Sequence, residues 1–153
     1  MQTLAQPTAP SPSPSLAARP TVLQQIPPSH LGEILPLILN LLEAVVARSD
    51  GEFTVPALLE LFARSRWQLW VIWDGEVRAI VATELHIAPS GMKLCSVHFC
   101  TGRGAAGWAH HLAEIEGWAQ AEGCQRIGTM ARKGWAKHLP DYKMTHVYLK
   151  KDL

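Results

Sequence analysis

Residues 100–112, Cys100-Thr-Gly-Arg-Gly-Ala-Ala-Gly-Trp-Ala-His-His-Leu112, decide how this chain is read. The stretch holds three glycines, one arginine and no carboxylate. Before it runs Met-Lys-Leu-Cys-Ser-Val-His-Phe-Cys (92–100), rich in residues that favour a strand. After it, Trp108, Leu112, Ile115 and Ala119 recur at the three-and-four spacing of a helix, which Gly123 terminates. A strand that passes through a glycine turn into a helix points backbone N–H groups at one spot, an arrangement that suits a phosphate. The next strand pattern, Gln-Arg-Ile-Gly-Thr-Met-Ala-Arg (125–132), completes a strand–helix–strand unit. Such a unit is parallel and right-handed.

Upstream of this unit the apolar period is two. Residues 67–87 form a hairpin around Asp74-Gly75, a strong turn signal, and residues 88–91 turn again into the third strand. On a strand Trp67 and Trp73 face away from Trp70, so one sheet face is expected to bury large rings, against the helices or against a partner. Further upstream are two helices. In residues 29–51 the apolar positions Leu31, Ile34, Leu35, Ile38, Leu42, Val45 and Val46 follow the helical period, with Ser29 as the cap, Gly51 past the end and a first-turn position or a kink expected at Pro36. In residues 54–66 Thr54 caps and Pro56 occupies the first turn. Downstream, residues 133–142 read as a short helix closed by Pro140, and 143–153 as a last strand. The fold class is α+β, a mixed and mostly antiparallel sheet flanked by helices.

Residues 1–28 differ in composition, with seven prolines among Ser, Ala and Thr. They read as an extended Pro-rich arm beside a domain of residues 29–153. The arm is expected to dock on a protein partner. Its removal is expected to leave the domain's stability nearly unchanged, with Val22–Ile26 the part that packs against the domain. The rest of the chain, in a protein of 153 residues with 48% hydrophobic and 18% charged side chains, is enough for one core. A net charge of +1 without a basic cluster gives no nucleic-acid signal. Apolar runs such as Leu37–Leu39 are too short for a membrane segment, and the N-terminus lacks the pattern of a signal peptide. Cys95 and Cys100, five apart, are expected on opposite faces of one strand, and the three cysteines read as inert thiols of a reducing compartment.

From residue 29 to 153 this order of elements resembles the GNAT family of N-acetyltransferases. In that family a turn of pattern Gln/Arg-x-x-Gly-x-Gly/Ala holds the pyrophosphate of acetyl-coenzyme A. The resemblance places this turn at Thr101, Gly102, Arg103, Gly104, Ala106 and Gly107. Thr101 stands where the family has Gln or Arg, and Trp108 is expected to crowd the helix start. The site therefore reads as vestigial, with coenzyme A binding weakly or not at all. Gly104 and Gly107 are both expected to resist larger residues.

Candidates for chemistry are few. His98 is a conceivable base in line with Glu84 and His86 on the neighbouring strand, although a sheet-face histidine with a hydrogen-bond partner is preferred. Tyr142 is a conceivable acid, although ring packing is preferred there. The family's acidic tyrosine stands about one helical turn earlier, near Trp135–Lys137, where this chain has none. His110 and Glu114, four apart, could meet, yet two ligands do not make a metal site, and His110-His111 read as a solvated helix face. No catalytic residue and no metal are therefore assigned. The chain's ending also resembles acetyltransferase-like proteins encoded by tailed bacteriophages. The resemblance implies a non-catalytic structural or binding component of a phage virion, docked through residues 1–28, made in the host cytoplasm and then carried in the virion. The alternative is a cytoplasmic acyl-coenzyme A-dependent N-acetyltransferase, with acetyl-coenzyme A as donor and a small amine or protein terminus as acceptor.

Overall fold

The computed structural model describes residues 20–153. One five-stranded sheet runs in the order β1 (Val22–Ile26), β2 (Gln68–Trp73), β3 (Val77–Ile87), β4 (Lys93–Gly102), β5 (Arg126–Thr129). The first three pairings are antiparallel and β4–β5 is parallel, which makes the sheet mixed and mostly antiparallel. Helices α1 (Leu31–Arg48) and α2 (Val55–Ala63) cover one face, and α3 (Leu112–Ala121) covers the other.

The two-residue period of β2 sorts its side chains between two cores. Leu69 and Val71, with Trp67 just before the strand, pack under α1 and α2 against Ile34, Ile38 and Leu42. Trp70 and Ile72 pack on the opposite face with Trp108 and Ile115. Burying the polar edge of Trp70 requires a partner, and its indole N–H donates to Thr83 Oγ1 at 2.9 Å, whose own hydroxyl donates to Gln68 Oε1 at 3.0 Å.

Local signals account for most element ends. Thr54 accepts from the Ala57 amide at 3.2 Å and caps α2, with Pro56 in the first turn. Gly51 and Gly123 adopt φ of +85° and +87° past the ends of α1 and α3. Ser29 does not cap α1. Pro28–His30 form a 3-10 turn, and α1 follows from Leu31 without a side-chain cap. Pro36 lies inside α1, where it removes one backbone donor. By length and composition the apolar stretch Pro28–Arg48 could also cross a bilayer, which inspection of uninterrupted runs alone does not reveal; here Ile34, Ile38, Leu42 and Val45 of α1 are buried against the sheet.

Three elements differ from expectation. Two 3-10 turns, Ala105–Gly107 and Ala109–His111, precede α3, which begins only at Leu112. Residues 133–138 are 3-10 rather than α-helical. Residues 143–153 form no strand. Val147, Tyr148 and Leu149 are consecutive and all exposed, so the tail lacks the alternation that would bury one face, and Lys150 ties it to Asp50 by an ion pair at 2.5 Å.

The Pro-rich residues 1–19, most of the arm assigned to partner docking, lie outside the described residues. Its last part is β1, an edge strand paired residue by residue with β2 from Val22↔Trp73 to Ile26↔Leu69. Ile26 packs on the α1 side and Leu23 on the α3 side. Removing residues 1–28 therefore strips one strand from the sheet and uncovers β2. Against a chain starting at Pro20, a chain starting at Ser29 is expected to melt about 5 °C lower, as loss of roughly 2 kcal/mol from a domain of this size implies. Equal melting temperatures in differential scanning calorimetry would show that β1 adds nothing.

Candidate functional site

β4 and β5 pair only from Leu94↔Arg126 to Val97↔Thr129. Beyond that point β4 continues through His98 to Gly102, while the other chain leaves the sheet at Met130. The sheet thus splits along its one parallel seam. A cavity of about 290 Å³ opens at the split, walled by Val97–Thr101, by the end of α1 with Arg48 and Ser49, by Leu112 and Ile115 of α3, and by Arg132, Trp135 and Tyr142.

A β-bulge sits at the start of the split. Thr83 pairs with Val97 and Ala82 with Phe99, leaving His98 as an extra residue on β4. Side-chain directions reverse from there. His98 and Phe99 both pack on the α1 side, and Cys100 joins Val97 on the α3 side. The expectation that Cys95 and Cys100 take opposite faces fails for this reason: strict alternation cannot foresee the extra residue. All three cysteines are free, and burial pushes the Cys95 and Cys100 thiols up to about 12, which keeps them protonated and unreactive.

His98 stacks face to face on Trp67, with ring centroids 3.8 Å apart and planes 11° from parallel. Its Nε2 lies 2.6 Å from Glu84 Oε2. Ring and carboxylate together can carry one exchangeable proton at the cavity wall. His86, expected to join them, makes no such contact, and its Nδ1 is buried without a hydrogen-bond partner among the described residues. Across the cavity the Tyr142 hydroxyl donates to Glu116 Oε1 at 2.8 Å. Burial first, and then the Glu116 carboxylate, raise the phenol well above its ordinary value, so it holds its proton throughout the neutral range. Tyr142 thus lines the cavity with its hydroxyl held by Glu116. A 3-10 segment and the turn at Asp141, where the Tyr142 amide donates to the Leu139 carbonyl at 3.1 Å, carry Tyr142 back to Glu116 of α3.

The glycine turn follows the split. Gly104 is left-handed at φ +66°, and Gly107 and Trp108 donate to the carbonyls of Gly104 and Ala105 at 2.9 and 3.1 Å. The amides of Gly104, Ala105 and Ala106 come before these bonds and are the turn's donors without an acceptor within it. Trp108 does not crowd them. Its ring is buried in the α3-side core, and its indole N–H donates to the Arg103 carbonyl at 2.8 Å, which braces the turn from beneath. Thr101 is buried and accepts a hydrogen bond from the Arg48 guanidinium. Gly107 has neither a positive φ nor any atom near the position of a Cβ, so the expected need for glycine there is not met. The position that excludes a side chain is Gly102, where a Cβ would stand 2.3 Å from the Arg78 carbonyl oxygen. Gly104→Val is expected to cost about 1–2 kcal/mol for a β-branched residue held left-handed, lowering the melting temperature by about 3–6 °C; an unchanged thermal midpoint would rule out that strain.

His111, read from sequence as part of a solvated face, is buried. Its ring is held between Thr21 Oγ1 at 2.8 Å and Glu114, so it fastens the residue before β1 to the start of α3. Glu114 therefore meets His111 rather than His110. Sequence reasoning also missed Arg48 as a cavity residue. Its only signal was a cation in the last turn of a helix, which the helix dipole explains equally well.

No family model matches the sequence, and no curated protein matches it. Solved structures match the fold. An aminoglycoside acetyltransferase from an uncultured soil metagenomic sample, in complex with trehalose, superposes with a TM-score of 0.66 at 12% identity, covering 87% of this chain and 96% of that one. A Trypanosoma brucei acetyltransferase gives 0.62 at 13% identity, covering 87% and 99%. The ribosomal-protein-alanine N-acetyltransferase of Brucella melitensis biovar Abortus 2308 gives 0.61 at 13% identity, covering 87% and 97%. The chain has the GNAT acetyltransferase fold. These matches are acetyltransferases and carry no phage or virion signal, which overturns the expectation of a non-catalytic virion component built on a degenerate site. Trp108, expected to crowd the turn, packs away from it, and Tyr142 is among the residues that line the cavity.

Proposed function

We propose that the chain is an acyl-coenzyme A-dependent N-acetyltransferase acting on a small amine or a protein terminus. The observation that carries this reading is the split between β4 and β5. It exposes a strand edge at His98–Thr101, opens a cavity beside it and ends in a left-handed glycine turn. A free strand edge offers alternating N–H and C=O groups to an extended amide-bearing chain. The amides of Gly104–Ala106, with the Arg103 cation beside them, suit a pyrophosphate. These residues fit acetyl-coenzyme A, which when bound supplies an activated acyl carbonyl on a thiol leaving group.

The chain's own groups then divide the proton traffic. The Glu84–His98 pair accepts the proton that the amine loses as its nitrogen bonds to the acyl carbon. Tyr142 holds a proton at Oη for the departing sulfur as the carbon–sulfur bond breaks. The apolar walls from Val97, Leu112 and Ile115 exclude water that would otherwise hydrolyse the thioester. Calorimetry of the full chain with acetyl-coenzyme A is expected to show saturable binding, and an assay of free thiol is expected to show its release only when an amine is added. Absence of binding at millimolar acetyl-coenzyme A would refute the reading.

A further inference from the structure

The cavity walls carry two guanidiniums, Arg48 and Arg132, and no Asp or Glu. Two carboxylates that touch wall residues are engaged, Glu84 with His98 and Glu116 with Tyr142. Among the described residues neither arginine is paired with a carboxylate. Arg48 is aimed rather than loose. It leaves the last turn of α1, and its guanidinium donates to Thr101 Oγ1 on the α1 side of β4. That is also the side on which the bulge places His98. A guanidinium fixed by a neutral hydroxyl keeps its full charge and most of its donors for an anion.

This charge pattern bears on the acceptor. A polycation entering here meets like charge with no carboxylate among the lining residues to receive it, which costs affinity. An amine that also bears an anion meets both partners it needs. His98 and Thr101 are three residues apart on β4, and at the rise of a strand shortened by the bulge this puts the two binding points roughly 6–10 Å from each other. An α-amino acid is too short to reach both. We propose that the acceptor is a primary amine carrying a carboxylate several bonds from its nitrogen, with the amine at His98 and the carboxylate on Arg48. The inference rests on the acetyltransferase reading and adds the substrate class.

Three amines of similar length separate the charge effect: δ-aminovalerate, pentylamine and cadaverine, which differ in an anionic, neutral or cationic far end. With acetyl-coenzyme A as donor, kcat/KM for δ-aminovalerate is expected to exceed that for pentylamine by about tenfold or more, the worth of one charge-assisted hydrogen-bonded pair, with cadaverine below both. Arg48→Gln is expected to bring δ-aminovalerate to within about threefold of pentylamine through KM, with the affinity for acetyl-coenzyme A unchanged, and Arg48→Lys to keep part of the preference. Arg48 lies in an exposed last turn, so both variants should fold, which their melting temperatures would check. Equal or better use of pentylamine or cadaverine by the wild type overturns the inference alone. So does an Arg48→Gln variant that loses acetyl-coenzyme A affinity but keeps the order of acceptors, since Arg48 would then serve the donor. Failure of the wild type to bind acetyl-coenzyme A overturns both readings.

Discussion

Tyr142→Phe is expected to lower kcat about 100-fold while leaving the affinity for acetyl-coenzyme A within about twofold, because it removes one positioned acid and little of the wall. The ring stays in place; only the hydroxyl that donates to Glu116 at 2.8 Å disappears. A merely structural tyrosine would show the opposite pattern, a lower melting temperature with kcat kept. The pH profile supplies an independent readout. In the proposed mechanism the acid form of Tyr142 is the active one, and burial together with the Glu116 carboxylate extends that form to high pH. Replacing Glu116 by Gln leaves the burial but removes the negative charge, so the phenol loses its proton at lower pH. The alkaline limb of kcat is therefore expected to move to lower pH in Glu116→Gln, with the neutral plateau nearly preserved. An alkaline limb in the same place for both proteins would exclude Tyr142 as the proton donor.

Gly102→Ala is expected to be the most damaging small substitution near the site. A methyl group there would stand 2.3 Å from the Arg78 carbonyl oxygen and 2.5 Å from the Ala79 Cβ. Both belong to β3, whose Ala79 is Gly102's register partner and is completely buried. Neither atom is the far end of a flexible chain, so the strands must part where β4 turns towards Gly104. The expected cost is about 3 kcal/mol, the upper range for overpacking, which lowers the melting temperature by about 6–12 °C. Because the same shift moves the amides of the turn, weaker binding of acetyl-coenzyme A should accompany it. Thermal unfolding of Gly102→Ala and Gly107→Ala side by side is the direct comparison. The second is expected to be nearly silent, as nothing lies within 4 Å of its Cβ position.

The split of the sheet makes these effects large. From Leu94 to Val97 β4 is held on both edges, and a substitution is felt as packing. From His98 onward only β3 holds it, so small displacements there move the histidine, the cavity wall and the glycine turn together. The three-tryptophan rhythm of residues 67–73 gives this region its backing. Trp67 supports His98 from the α1 side, and Trp70 meets Trp118 of α3 edge-on at 4.8 Å between centroids.

What was legible in the sequence is what local spacing dictates. The period of two in residues 67–87, broken by Asp74-Gly75, determined the hairpin of β2 and β3, and the three-and-four spacing of residues 31–46 determined α1. Thr54 as a cap and glycine in the turn after β4 follow equally from single-residue preferences. These are properties of neighbours in the chain, and they suffice for the fold class and the elements from α1 to β5, but not for the edge strand β1 or the strandless tail. The site depends on relations that have no local signature. The extra residue at His98 arises only when β4 is laid against β3, and it decides that Phe99 joins His98 on the Trp67 side while Cys100 turns to the other. The inward ring of Trp108, the reach of Tyr142 over α3 and the hydrogen bond from Arg48 to Thr101 join residues up to 53 positions apart. Tertiary packing chose among rotamers and faces that the sequence left equally open, and for that reason the surroundings of the cavity had to be read from the fold.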